Sequence, residues 1–219
     1  VPYVILRNFN SLPKSTLGGD IDLVVLSERF EKFEKLLEEF AGQHGLKIGV
    51  IQKHYHGVRL CLSLSGGAFF LKLDIHFGEY WRGIEYLGAN ELISNSIIQN
   101  NIRALNEIDE CLLCLMDSLL TAGKVKNKYI GPIYAVKSHR EFVSKLSNIV
   151  GRGLTTFIIS KIEKDNISLA KSAIKIVRFS MWCRGFIRKP CESISSIFKY
   201  LQYECGRRRF PLGRLVVIE

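Results

Sequence analysis

The segment Leu17-Gly18-Gly19-Asp20-Ile21-Asp22-Leu23-Val24-Val25 constrains the fold of this chain more than any other. An apolar run opened by two glycines reads as a buried strand leaving a tight loop. Side chains at i and i+2 of a strand leave the same face, so Asp20 and Asp22 point together while Ile21 and Leu23 turn into a core. Like charges held that close repel unless a cation stands between them. Oxygen ligands on a strand suit a hard divalent ion, and the glycines let backbone N–H groups approach a phosphate. Carboxylates, a hard cation and a phosphate-sized loop together point to nucleotide chemistry.

The flanking pattern supports a mixed sheet. Residues 3–6 read as a short buried strand, 8–19 as a loop holding Pro13, and 21–26 as a second strand. Ser27 is the expected N-cap of an amphipathic helix over 28–44, with Phe30, Phe33, Leu36, Leu37 and Phe40 at helical spacing. Three strands are expected next, at 46–51, 58–64 and 68–77, with Gly66-Gly67 as a hairpin that pairs the last two antiparallel. The last of these alternates. Leu71, Leu73 and Ile75 share one face, and Lys72, Asp74 and His76 share the other.

Asp74 is therefore a third acid, costly to bury in an apolar strand without a partner. Two acids on one strand and a third on a neighbour make a divalent-metal site, for Mg²⁺ or Mn²⁺. Two such ions align an incoming hydroxyl and a leaving pyrophosphate, and the third acid takes the hydroxyl's proton.

Gly18-Gly19-Asp20-Ile21-Asp22-Leu23, the helix that follows and the later strand with Asp74 resemble the DNA polymerase β-type nucleotidyltransferase superfamily, over roughly residues 3–80. The resemblance implies that Asp20 and Asp22 are the metal-binding pair and Asp74 the third catalytic carboxylate. Gly18 and Gly19 stand at the Gly-Ser position directly before the acid pair and are expected to bind nucleotide. Many members also carry Gly-Ser at the end of the first strand. That place holds Arg7-Asn8 here, followed by a loop with Lys14. Either Arg7 or Lys14 takes over the phosphate contacts, or triphosphate binding is altered or lost. Lys72 and Arg59 either contact phosphate or balance the acids. The variant is similar to uncharacterised bacterial nucleotidyltransferases and, more distantly, to antibiotic nucleotidyltransferases. It implies transfer of a nucleoside monophosphate from an NTP, often ATP, to a hydroxyl or phosphate of a small-molecule or carbohydrate-related acceptor. The alternatives are a nucleic-acid-directed nucleotidyltransferase and a catalytically degenerate regulatory module.

The chain has 219 residues, enough for one large domain or two small ones. Its +10 charge is uneven: residues 1–90 hold ten Lys and Arg against ten Asp and Glu, whereas 91–219 hold 21 against 11. A basic half beside a neutral half suggests an anionic partner: nucleotide, nucleic acid or an acidic membrane surface. No apolar run is long enough for a membrane span. Cys111-Leu-Leu-Cys114 has no second ligand pair and reads as buried cysteine on a helix, in a reducing, cytoplasmic compartment. His54 and His56 alternate like metal ligands but read better as a turn or substrate-facing loop, and His76 is a candidate for the cleft of Asp74. Lys124, Lys126 and Lys128 follow an expected helix end, where the dipole favours cations.

The expected fold class is α+β: a nucleotidyltransferase-like mixed sheet with flanking helices at 1–88, then a helical domain at 89–205 with helices over 91–122, 137–150 and 154–205. Within it, residues 161–189 form a basic amphipathic pattern with Phe179, Trp182 and Phe186 on the apolar side. Residues 206–219 read as a linker and a strand. That strand resembles the first strand of thymidylate-kinase-like P-loop proteins, so a kinase-like domain is expected behind it in a longer chain.

Overall fold

Short apolar runs become strands wherever both faces can be covered. The computed structural model describes residues 1–7, 9, 12, 14, 20–64, 70–164 and 166–209. Within them β1 (Tyr3–Ile5), β2 (Ile21–Val25), β3 (Leu46–His54), β4 (Gly57–Leu64), β5 (Phe70–His76), β8 (Ile97–Gln99) and β9 (Ile102–Ala104) form one seven-stranded sheet. Its order is β3-β4-β5-β2-β1-β9-β8. Neighbours are antiparallel except β2 with β5 and β1 with β9, which are parallel. A separate hairpin pairs β6 (Gly78–Trp81) with β7 (Ile84–Gly88).

Alternation along β2 separates two cores. Leu23 and Val25 face a small core with Leu60, Leu62, Leu73 and Ile75, covered by Phe30, Phe33 and Leu37 of α1 (Phe30–Gln43). Val24 faces the opposite way, into a larger core built around α3 (Glu107–Thr121) and α5 (Arg140–Val150), where Leu112, Leu115, Met116 and Phe142 are fully buried. The remaining helices are α2 (Ala89–Ser94), α4 (Asn127–Val136), α6 (Arg152–Ser160), α7 (Lys171–Arg188) and α8 (Pro190–Arg209). The molecule is thus an α+β protein, a mixed sheet with flanking helices and a mostly helical C-terminal part, as its sequence pattern indicates.

Several expectations need correction. The helix over 91–122 is interrupted by the β8–β9 hairpin, whose turn residues Asn100 and Asn101 both have positive φ, 52° and 62°. Asn tolerates that backbone region, and two such residues make the turn that fits strand twist. Helix α3 then starts at an Asn106 cap, whose side chain accepts from the Asp109 N–H at 2.9 Å. Ser27 does not cap α1; it opens a 3-10 turn over Ser27–Arg29, and its hydroxyl bonds the Glu28 side chain. Helix α4 forms across Gly131-Pro132, which reads as punctuation. The span 154–205 holds three helices, with residues 161–170 outside them. Trp182 and Phe186 pack on the larger core, but Phe179 is 69% exposed. Helix α8 runs on to Arg209, into the segment read as a linker. Gly66-Gly67 and the kinase-like strand after residue 209 lie outside the described residues.

Cys111 and Cys114 are buried on α3, and burial pushes both thiols up to about 12, the mark of structural cysteines. No helix among the described residues is long and apolar enough to cross a membrane.

Candidate active site

Register brings the three acids of the sequence to one patch. Strands β2 and β5 run parallel with Asp22 opposite Asp74, so two carboxylates sit on neighbouring strands, about 4.8 Å from backbone to backbone. Both lie on the face opposite Leu23, Leu73 and Ile75. Asp20 stands two residues before Asp22, just ahead of the strand. Buried like charges at adjacent positions are unfavourable without compensation, and each acid has found a cation. Arg7 Nε donates to Asp22 Oδ2 at 2.7 Å, and Lys72 Nζ donates to Asp20 Oδ2 at 2.6 Å. Arg59, the register partner of Asp74 on β4, donates Nε to Oδ1 and Nη2 to Oδ2, the latter at 2.8 Å.

These contacts set the charge states. Burial alone pushes the Asp74 carboxyl up, but the Arg59 hydrogen bonds and charge outweigh it and hold the group below its ordinary value. Burial alone pulls Arg7 down; Asp22, then Asp117, hold it above its ordinary range. Three carboxylates thus meet three cations in the patch, with Asp117 a second acid on Arg7.

Arg7 also joins the sheet to the helical core, because its Nη1 donates to Asp117 Oδ2 of α3 at 3.4 Å. Behind it lies a cavity of about 160 Å³ lined by Arg7, His56, His76, Glu79, Tyr86 and Asp117, among others. A second cavity of about 140 Å³ holds Arg59, Asp74, His54, His56 and His76. His56 and His76 line both. Burial, then His76 and His54, pulls the His56 imidazole down to about 4, and burial raises the fully enclosed Glu79 carboxyl. Tyr203 of α8 reaches back over the β3–β4 turn, its hydroxyl 3.1 Å from His54 Nδ1.

The structure therefore joins Asp20, Asp22, Asp74, Arg7, Lys72 and Arg59. Lys14 is exposed and has no ion pair among the described residues; Gly18, Gly19 and Asn8 lie outside them. His54 ends β3 rather than lying in a turn, His56 belongs to the turn between β3 and β4, and His76 borders the cavity that holds Asp74. Among the described residues no three His, Cys, Asp or Glu gather closely enough to hold a metal, because the acids converge on cations rather than on one another. All three acids are oxygen donors, the chemistry a hard ion prefers, but in this arrangement they face their cations and form no metal site.

No protein-family model matches the chain, and no curated protein matches it. Two solved structures are similar. JHP933 from Helicobacter pylori is 11% identical with a TM-score of 0.39, over 96% of this chain and 90% of that one. An H. pylori protein provisionally named a nucleotidyltransferase is 12% identical with a TM-score of 0.37, over 92% and 89%. Likenesses this remote lend no weight to a function.

Two contributors, Asp117 and Glu79, were missed in the sequence, and the partner of a third was not identified. Asp117 was detectable, as a lone acid inside the apolar run of α3. Arg59 was noted without its partner, because nothing local pairs it with Asp74. Glu79 gives no signal, since only the β6–β7 hairpin buries it.

Proposed function

We propose that this protein is a nucleotidyltransferase acting through Asp20, Asp22 and Asp74. The observation that carries the reading is the in-register placement of Asp22 and Asp74 on parallel strands, with Asp20 on the same patch and a cation on each. A nucleoside triphosphate with its divalent ion carries both signs of charge, as this patch does. Asp20, Asp22 and Asp74 would hold a Mg²⁺ or Mn²⁺, and Arg7, Arg59 and Lys72 would turn from carboxylate to phosphate oxygens, a bidentate fork in the two arginines. Such an ion, when bound, neutralises charge on the transferring phosphoryl group. The reaction is attack by an acceptor oxygen on the α-phosphorus: the new O–P bond forms, the bond to pyrophosphate breaks, and the acceptor's proton passes to a carboxylate. A small-molecule or carbohydrate-related acceptor fits cavities of this size better than a polymer.

The grip of Arg59 on both oxygens of Asp74 favours a second reading, a domain that binds nucleotide without turning it over. Pyrophosphate release separates the two. With Mg²⁺, an NTP and a panel of hydroxyl acceptors, the wild type is expected to release pyrophosphate, and Asp22→Asn and Asp74→Asn to lose at least about a hundredfold of that rate. Tight NTP binding with no release in any mixture would decide for the binding module.

A further inference from the structure

Four buried side-chain atoms among the described residues have no hydrogen-bond partner, and three of them belong to one cavity: His56 Nδ1, His76 Nδ1 and Glu79 Oε1. Leaving a buried polar atom unpaired costs free energy, so native folds place such atoms where something completes them. These three are not satisfied by each other. His76 Nδ1 and Glu79 Oε1 stand 3.2 Å apart, an ion pair when the ring is protonated, but share no hydrogen bond. Glu79 is only 9% exposed, and its other oxygen, Oε2, already accepts from the Tyr86 hydroxyl at 3.3 Å.

From this geometry we infer that the cavity behind Arg7 is a binding site for a neutral, hydroxyl-bearing ligand. If the chain is the nucleotidyltransferase proposed above, on which this part rests, the ligand is the acceptor. Size, charge and position each support the assignment. At about 160 Å³ the cavity is well below the ~300–1,000 Å³ of sites that enclose whole drug-sized ligands, and it suits one polyol arm. Among the described residues Arg7 is the one Lys or Arg lining it, and Arg7 is bracketed by Asp22 and Asp117, so among them an anion finds no unpaired cation. A hydroxyl donates to Glu79 Oε1 and pairs with an imidazole nitrogen in either tautomer. Arg7 forms the wall between this cavity and Asp22, which puts a bound hydroxyl next to the acid patch. Until nucleotide draws it away, Arg59 occupies both oxygens of Asp74, whereas Glu79 Oε1 accepts no hydrogen bond and can receive one from an acceptor hydroxyl. Thr121, exposed at the rim, marks the mouth.

Glycerol is the neutral probe and glycerol 3-phosphate the anionic one, titrated into protein carrying ¹⁵N-histidine and followed by NMR. Glycerol is expected to shift the Nδ1 signals of His56 and His76 saturably. Glu79→Gln, which keeps the shape, should weaken binding roughly tenfold, and Thr121→Trp should block the mouth. Glycerol 3-phosphate should bind less well than glycerol. Absence of a saturable shift, unchanged affinity in both variants, or tighter binding of the phosphate would overturn the assignment. Binding of Mg²⁺·ATP, titrated separately in the same samples, tests the other reading. Glycerol binding without nucleotide binding would leave the polyol site standing and remove its role as acceptor site.

Discussion

Arg7 stands between Asp22 and Asp117, so truncating it strands an acid that is only 8% exposed beside a half-exposed one. Removing one partner of a buried pair leaves an uncompensated charge. Arg7→Ala should lower stability by about 3 kcal/mol in urea unfolding, and adding Asp22→Asn should restore part of the loss. His56 gives a pH signature. Its ring is pulled down to about 4 by burial, and it packs against His54, His76, Tyr55 and Tyr80, with Arg7 and Glu79 around the same cavity. The unfolded chain takes up this proton near pH 6.5 and the folded chain near 4, so the neutral ring stabilises fully above 6.5 and progressively less as pH falls towards 4. Between pH 8 and pH 5 the wild type should lose about 2 kcal/mol more than His56→Gln does. Comparing with the variant cancels the opposing contribution of Glu79, whose raised carboxyl favours the folded state at low pH.

At the scale of elements, the β8–β9 hairpin decides how the two parts of the chain join, since β9 lies parallel to β1 and adds the helical region's first strands to the sheet. Asn101→Val puts a branched side chain at a φ of 62° and should cost about 1 kcal/mol in thermal or urea unfolding. In the larger core, Phe142→Ala should cost about 3–5 kcal/mol, because the ring is fully buried. The same elements show what was legible in the sequence. Strand β2 was readable as a short apolar run behind a glycine pair, and β5 because its apolar and polar residues alternate. Helix α1 was readable from its helical spacing. The hairpin was not, since three-residue strands are too short for alternation to distinguish from helical spacing, and only Asn100-Asn101 marked the turn. Helix α7 misled differently. Ile174, Val177 and Met181 are buried, while Ile176, Phe179 and Ile187 are exposed on the other side, so its apolar residues do not define one face. The acid patch was legible as residues but not as ion pairs, because Arg7, Arg59 and Lys72 reach it through register.

Across the whole molecule charge and chemistry are separated. The acid patch pairs three carboxylates with three cations, while α7 and α8 hold nine Lys and Arg against Glu192 and Glu204. Salt should therefore affect nucleotide binding at the patch only weakly, whereas any polyanion held by the two helices should dissociate steeply as salt rises. Parallel titrations at low and high ionic strength check the contrast. On the proposed function, the three ion-paired acids open to receive a metal-bound nucleotide. Calorimetric titration of ATP, with and without Mg²⁺, into the wild type and into Asp22→Asn of matched circular dichroism tests it most directly. The expected result is Mg²⁺-dependent binding in the wild type and its loss in Asp22→Asn. Equal binding by the two proteins, or none by the wild type, would contradict it.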